Sequence, residues 1–337
     1  GEEILIQSYT CVVLPNAIHA AGGVPVYADI ERDTLNLDLA DVEKRITPRT
    51  RAIICQHTFG IPADAAALRK ICDTHGMYLI EDCAHILPDS PSMEIGKWGD
   101  FLLLSFGRDK AVSGVGGGAM LSRKPEISAK LKQEQARATN LPWLTVSLLL
   151  DYPIWYPVLR PFYGMGLGKA ALWALGKLRM LVPILSAEEK KGNMPTALEK
   201  MPDGCAYLTL KQLARLKGIN DHRRALTRFY FDCAKKWNWP MLGGVSAHLA
   251  LQKFPLFVKN ANGIRAQLKQ HNIHLDDGWT GCVVCPETVD LPATSYEPGS
   301  DPEAEAACEM ILSLPTHPTM SLKQAKTLAE LLNPLLR

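Results

Sequence analysis

The feature that most constrains this chain is a series of short apolar runs separated by helical patterns in its first 125 residues. "EILIQS", "VPVYADI", "RAIICQH", "MYLIED" and "FLLLSF" are nearly continuous apolar stretches. Such runs predict strands buried on both faces of a mainly parallel sheet. Between them, "DLADVEKRI" and "DAAALRKICDTHG" carry helical spacing, with Asp64 placed as an N-cap and Gly76 as a helix terminator. Alternating β and α units predict a doubly wound α/β layer structure. Ligands of such sheets bind beyond the carboxyl ends of the strands, which directs attention to residues 8–11, 56–59, 82–85 and 105–110.

Composition narrows the class of partner. With 337 residues, 47% hydrophobic and 21% charged, the chain can build a large α/β domain and a smaller one, and global disorder is excluded. A net charge of +2 gives no reason to expect nucleic acid or an acidic tail. Nine scattered cysteines suit reduced thiols in a cytosol better than a disulfide framework. Cys282 and Cys285 form a CxxC, but no second CxxC accompanies them, and no metal site is expected. No signal peptide is visible. The opening "GEEILIQSYT" has no methionine and enters a strand at once, so a further segment is expected upstream of Gly1.

Three regions are expected: a large α/β domain over 1–137, a hydrophobic and basic insertion over 138–192, and a helical linker with a small α+β domain over 193–337. Residues 141–185 carry one acid, Asp151, and four bases, Arg160, Lys169, Lys177 and Arg179. Five prolines and these charges argue against a spanning helix. Tryptophans and tyrosines among apolar and basic residues fit a segment lying on a membrane surface, such as the inner face of a cell membrane. The alternative is a helical insertion covering the domain, or a dimer contact. Further on, "AYLTLKQLARLKGINDHRRALTRFYFDCAKKW" predicts a long amphipathic helical region with a break near Gly218. "LALQKFPLFV" predicts a strand, and "GIRAQLKQHNI", "DPEAEAACEMILSL" and "SLKQAKTLAELLNPLL" predict helices.

Two acids end the run "LIEDCAH", which puts Asp82 at the carboxyl edge of a buried strand. A buried acid there needs a positive partner. It can serve as a helix cap or a structural ion pair, just as Lys110 can be a solvated loop charge. An Asp, a Ser and a Lys, each at a strand end, can instead converge on one ligand. Pyridoxal phosphate requires this combination: a lysine amine for its aldehyde, a carboxylate for its ring nitrogen, and hydroxyl and N–H donors for its phosphate. The glycines at 114 and 116–118 are a weak signal by themselves. They follow neither G-x-G-x-x-G nor a Walker pattern, and "GGAML" reads as the next strand.

The ordered set "SYT", "AGGVPVYADIERDTLNLD", "ITPRTRAII", "HTFGIPAD", "LIEDCAH", "GDFLLLSFGRDK" and "GGGAML" resembles the DegT/StrS-type family of fold-type-I pyridoxal phosphate enzymes, mostly nucleotide-sugar aminotransferases. The likeness is dense over residues 1–135 and resumes with "QLARL", "YEPGSDPEAEAA" and "LSLPTHPTMS". The 141–185 stretch is not a usual family element. The resemblance implies a mainly parallel sheet flanked by helices, a smaller C-terminal α+β domain, pyridoxal 5'-phosphate as cofactor and a homodimer. It implies that Lys110 is the catalytic lysine joined to the cofactor aldehyde. Asp82 then pairs with the ring nitrogen, His85 lies near the phenolic oxygen, and Ser105 binds phosphate. Cys11 stands where relatives often place an aromatic residue against the ring. The Asn that a neighbouring subunit usually contributes has no assigned counterpart in "NMPTALEKMPDGCAY", and the first phosphate-binding turn lies upstream of Gly1.

The resulting expectation is an aminotransferase that moves an amino group, with glutamate as donor, to a keto group of a nucleotide-activated sugar in the cytoplasm. Relatives that catalyse dehydration carry histidine in place of the lysine, and Lys110 argues against that branch. A non-sugar cyclic ketone is an alternative acceptor. A catalytically retired, membrane-associated scaffold is the alternative from another class, opposed by the retention of both Asp82 and Lys110.

Overall fold

The computed structural model describes residues 1–337 apart from 164, 195–197, 276–277 and 337, together with the side chain at 160. A six-stranded sheet runs, edge to edge, through Val24–Ala28, Glu3–Gln7, Thr50–Gln56, Tyr78–Asp82, Phe101–Ser105 and Gly118–Leu121. The first five strands are parallel and the last is antiparallel. Strand side chains alternate between faces, and the sequence is apolar at both parities. Leu5, Ile53 and Leu79 therefore pack with Val42, Leu68 and Cys72 of the helices Leu39–Arg45 and Ala65–His75. Their neighbours Ile6, Tyr27 and Ile54 face a second cluster shared with the C-terminal half of the chain. Each such fully buried aliphatic contributes about 1.5–3 kcal/mol.

The helix signals hold. Asp64 accepts the Ala67 N–H at 2.9 Å, and Gly76 ends the Ala65–His75 helix at φ 66°. In the C-terminal half, Lys253–Phe257 pairs antiparallel with Ile311–Pro315, against the helices Leu216–Trp237, Ala261–Gln270 and Leu322–Leu332. Two sequence expectations shift. The break in the long helical region falls at Ala214–Arg215, between Asp203–Leu213 and Leu216–Trp237, and Gly218 sits inside the second helix. Within "DPEAEAACEMILSL" the helix stops at Met310, because Ile311, Leu312 and Leu314 gain more by sheet pairing in the core.

The two halves meet at the carboxyl edge of the sheet. Thr10–Cys11 pairs in parallel with Val284–Cys285, and the Tyr9 hydroxyl donates to the Trp279 carbonyl at 2.6 Å. Residues 279–285 thus close over the strand ends. The insertion forms two helices, Trp143–Leu159, with Pro153 and Pro157 inside it, and Leu167–Lys177.

Candidate active site

The two acids of "LIEDCAH" do different work because they point to opposite faces of their strand. Glu81 accepts the N–H groups of Gly96, Trp98 and Gly99, each at 2.6 Å, and bonds His57 Nε2 at 3.3 Å. Burial pushes its pKa up, but the His57 bond and the Gly99 and Gly96 N–H groups outweigh it and hold the carboxyl below its usual range. Glu81 is a structural organiser of the 94–99 loop. Asp82 is buried and accepts the Ala84 N–H at 2.8 Å. Burial pushes it up, and the Ala84 N–H, Lys110 and His57 offset only part of that. No ion pair involves Asp82 among the described residues, so a buried carboxylate stands ready for a cationic N–H partner.

His85 is also buried, three residues further on. Its Nδ1 accepts the Phe59 N–H at 3.0 Å. Burial, then the charges of Lys110 and Lys253, press its pKa well below the histidine norm. The ring is therefore neutral near pH 7 and carries its proton on Nε2, as a hydrogen-bond donor.

Lys110 follows the Phe101–Ser105 strand in a turn closed by its own N–H to the Gly107 carbonyl at 3.2 Å. Its ammonium is 3.5 Å from Asp109. Lys110 acts electrostatically on Asp82, His85 and Cys11, which come from different elements. Burial raises the half-buried Cys11 thiol, and Lys110 and the Val13 N–H counter it. That thiol is a packing group rather than a nucleophile. Ser105 ends its strand opposite Gly118, and its hydroxyl has no hydrogen-bond partner among the described residues. The sequence-derived residues Cys11, Asp82, His85 and Lys110 are thus brought together, with Ser105 five residues along the same strand and turn.

The structure adds groups that the sequence did not flag. Trp279 packs edge-on against His85, Phe59 and Tyr9 at centroid distances of 4.9, 5.4 and 5.5 Å. Phe59 stacks beside His85. From the C-terminal half, Gln252 donates to the Asp109 carbonyl at 2.7 Å, while its buried Oε1 accepts no hydrogen bond among the described residues. Lys253 lies 5.7 Å from the Phe59 ring centroid. Their sequence separation from Lys110 leaves no local pattern to find them by.

The glycines after Lys110 are set by close approach. A Cβ on Gly114 would collide with Thr209 Oγ1 and come within 2.7 Å of the Cys205 carbonyl, and Gly117 takes φ 95°. Gly114→Ala is expected to cost about 1–3 kcal/mol by overpacking the loop against the Asp203–Leu213 helix. A urea midpoint equal to that of the parent would show that the loop yields freely.

The profile of the DegT/DnrJ/EryC1/StrS aminotransferase family matches residues 1–140 and 184–333. The chain belongs to this family. Among curated members, GDP-perosamine synthase of Vibrio cholerae is 34% identical over 147 residues, 42% of this chain and 40% of that protein. L-glutamine:2-deoxy-scyllo-inosose aminotransferase of Streptomyces kanamyceticus is 33% identical over 137 residues, 40% of this chain and 32% of that protein. The alignments thus span less than half the length of these DegT-family relatives. Among solved structures, ntda from Bacillus subtilis with bound cofactor PMP superposes with a TM-score of 0.74 at 20% identity, covering 100% of this chain and 68% of that one. That likeness shows the fold, the fold-type-I α/β arrangement expected from the sequence.

Proposed function

We propose that this chain carries a pyridoxal-phosphate-dependent aminotransferase site whose acceptor is the keto group of a nucleotide-activated sugar. The observation that carries the reading is that Asp82 and Ser105 end two adjacent parallel strands at the carboxyl edge of the sheet, with His85 and Lys110 just beyond those ends. The residues fit the cofactor: the buried Asp82 carboxylate has no ion pair among the described residues, and the Ser105 hydroxyl is open. When bound, pyridoxal 5'-phosphate supplies an aldehyde and an electron-withdrawing ring. Lys110 would hold the aldehyde carbon, Asp82 the proton on the ring nitrogen, and Ser105 the phosphate. His85 would donate Nε2–H to the ring oxygen, and Cys11 would pack on the ring. Lys110 Nζ would then take a proton from the amino donor and return it to the acceptor.

The Vibrio relative's name, GDP-perosamine synthase, supports a nucleotide-linked acceptor. The Streptomyces relative's name supports a second reading, in which the acceptor is a cyclic ketone outside the sugars and L-glutamine the donor rather than glutamate. A homodimer is part of the proposal, as is a cytoplasmic setting, which the nine free cysteines support. Within the dimer, the partner's contribution is sought in residues 193–207, of which 195–197 lie outside the described residues.

Borohydride treatment of the chain loaded with pyridoxal 5'-phosphate should leave a stable pyridoxyl label on the peptide containing Lys110. A label distributed over other lysines, or none, refutes the site. Conversion of keto sugar nucleotides against keto cyclitols, with glutamate and glutamine as donors, separates the two acceptor readings.

A further inference from the structure

The helical hairpin of Trp143–Leu159 and Leu167–Lys177 is anchored along one part and bare along another. In its first helix, Leu149 abuts Gly116 and Leu150 abuts Gly204. The Arg108 guanidinium lies 4.4 Å from the Tyr152 ring centroid and also donates to the Val182 carbonyl. These contacts fix the hairpin beside the loop that carries Lys110. Trp143 and Leu144 at the start of this helix are exposed, and from Ile154 onward exposure becomes general. Ile154, Val158, Phe162 and Leu167 are exposed, Met165 is 66% exposed and Trp173 is 68% exposed. These residues fall in the far half of the first helix, the connecting turn and the second helix. An apolar surface of this kind on a well-packed chain marks an interaction site.

Charge identifies what covers it. Asp and Glu make up 35 of the 337 residues, yet none occurs between 152 and 187. The same interval holds Arg160, Lys169, Lys177 and Arg179. The family profile stops at residue 140 and resumes at 184, so the hairpin lies outside the pattern that the family shares. Neither helix can cross a bilayer. The first has 17 residues and two internal prolines, the second has 11, and no helix among the described residues is long and apolar enough to span.

We infer that this hairpin seats the protein on the surface of a bilayer containing anionic phospholipid. Its apolar and aromatic side chains enter the headgroup region, while Lys177 and Arg179, both exposed, meet anionic headgroups. A second copy of the chain fits less well. A two-fold contact sets a patch against itself, and these bases would then meet their own kind with no acid from 152–187 to pair with. Because Arg108 ties the hairpin to the Lys110 loop, the candidate active site would work next to the membrane surface.

The test is co-sedimentation of the full chain with vesicles of phosphatidylcholine alone and of phosphatidylcholine mixed with phosphatidylglycerol. The protein is expected in the pellet only with the anionic vesicles, with a blue shift of tryptophan emission, and less so as salt is raised. The double variants Phe162→Ser/Met165→Ser and Lys177→Glu/Arg179→Glu change exposed side chains and should keep the parent's melting midpoint. Each is expected to weaken pelleting by about tenfold or more. Intact protein that stays in the supernatant overturns the inference. So do variants that pellet like the parent, and variants that dissociate an oligomer while still pelleting, which would assign the patch to a second copy. The inference is independent of amino transfer: Lys110→Ala should pellet as the parent does.

Discussion

Lys110→Ala is expected, under the proposed mechanism, to lower amino transfer by roughly a thousandfold or more, since it would remove both the proposed covalent anchor and the proposed proton carrier. The side chain is 16% exposed and, among the described residues, its one ion pair is with the adjacent Asp109, so the fold should survive the change, which a parent-like urea midpoint would verify. Lys110→Arg separates charge from chemistry. It keeps a positive charge near Asp82, His85 and Cys11 but offers no free amine at neutral pH. It should be as inactive as the alanine variant. Partial recovery of Lys110→Ala by added methylamine would show that the missing group is the amine. Turnover within a few-fold of the parent in either variant would remove Lys110 from the mechanism.

The second large effect is expected far from the reacting groups. Arg223 is one of the largest fully buried side chains. It faces no carboxylate among the described residues; Nη1 bonds the carbonyls of Leu251 and Gln252 and the Thr316 hydroxyl at 3.2–3.4 Å. Burial pushes the guanidinium down to about 10. Arg223 thereby joins the Leu216–Trp237 helix to the segment entering the Lys253–Phe257 strand. Gln252 passes that connection on, since its side chain holds the Asp109 carbonyl next to Lys110. Arg223→Ala should destabilise the protein by about 3 kcal/mol, through an unfilled cavity and unpaired carbonyls. Lysine, a compact, strongly hydrated point charge, should restore only part of this. A urea midpoint unchanged in Arg223→Ala would show that Thr316, 2.6 Å from both carbonyls, satisfies them alone.

Most of the sheet was legible because its information is local. Runs such as "RAIICQH" are apolar at both parities, and that is what a strand between two helical layers requires. Asp64 and Gly76 act within one helical turn of themselves, so the sequence shows them directly. Asp82, His85, Ser105 and Lys110 were legible for a related reason: each lies at or just beyond a strand end, and such ends share one edge. The break at Ala214–Arg215 was misplaced to Gly218, because a solvent-facing glycine inside a helix costs only about 1 kcal/mol and packing overrides it. The Ile311–Pro315 strand was hidden because its partner, Lys253–Phe257, lies more than fifty residues earlier. Trp279 and Gln252 were invisible for the same reason, since their roles exist only once the chain has folded back.

The Tyr9–Trp279 hydrogen bond links residues 270 positions apart, and the Thr10–Cys11 ladder with Val284–Cys285 closes a loop of similar size. Contacts of such span cost much chain entropy to close, and they slow folding. The motifs that mark the site all lie in the first third of the chain, yet the wall facing them arrives with the last third. During synthesis, the emerging N-terminal half would therefore display Lys110 and Asp82 on an open sheet edge before any aromatic wall covers them. Capture of the proposed cofactor in its finished environment would thus report on the folding of the C-terminal wall as well, not only on the segment that carries the recognisable residues.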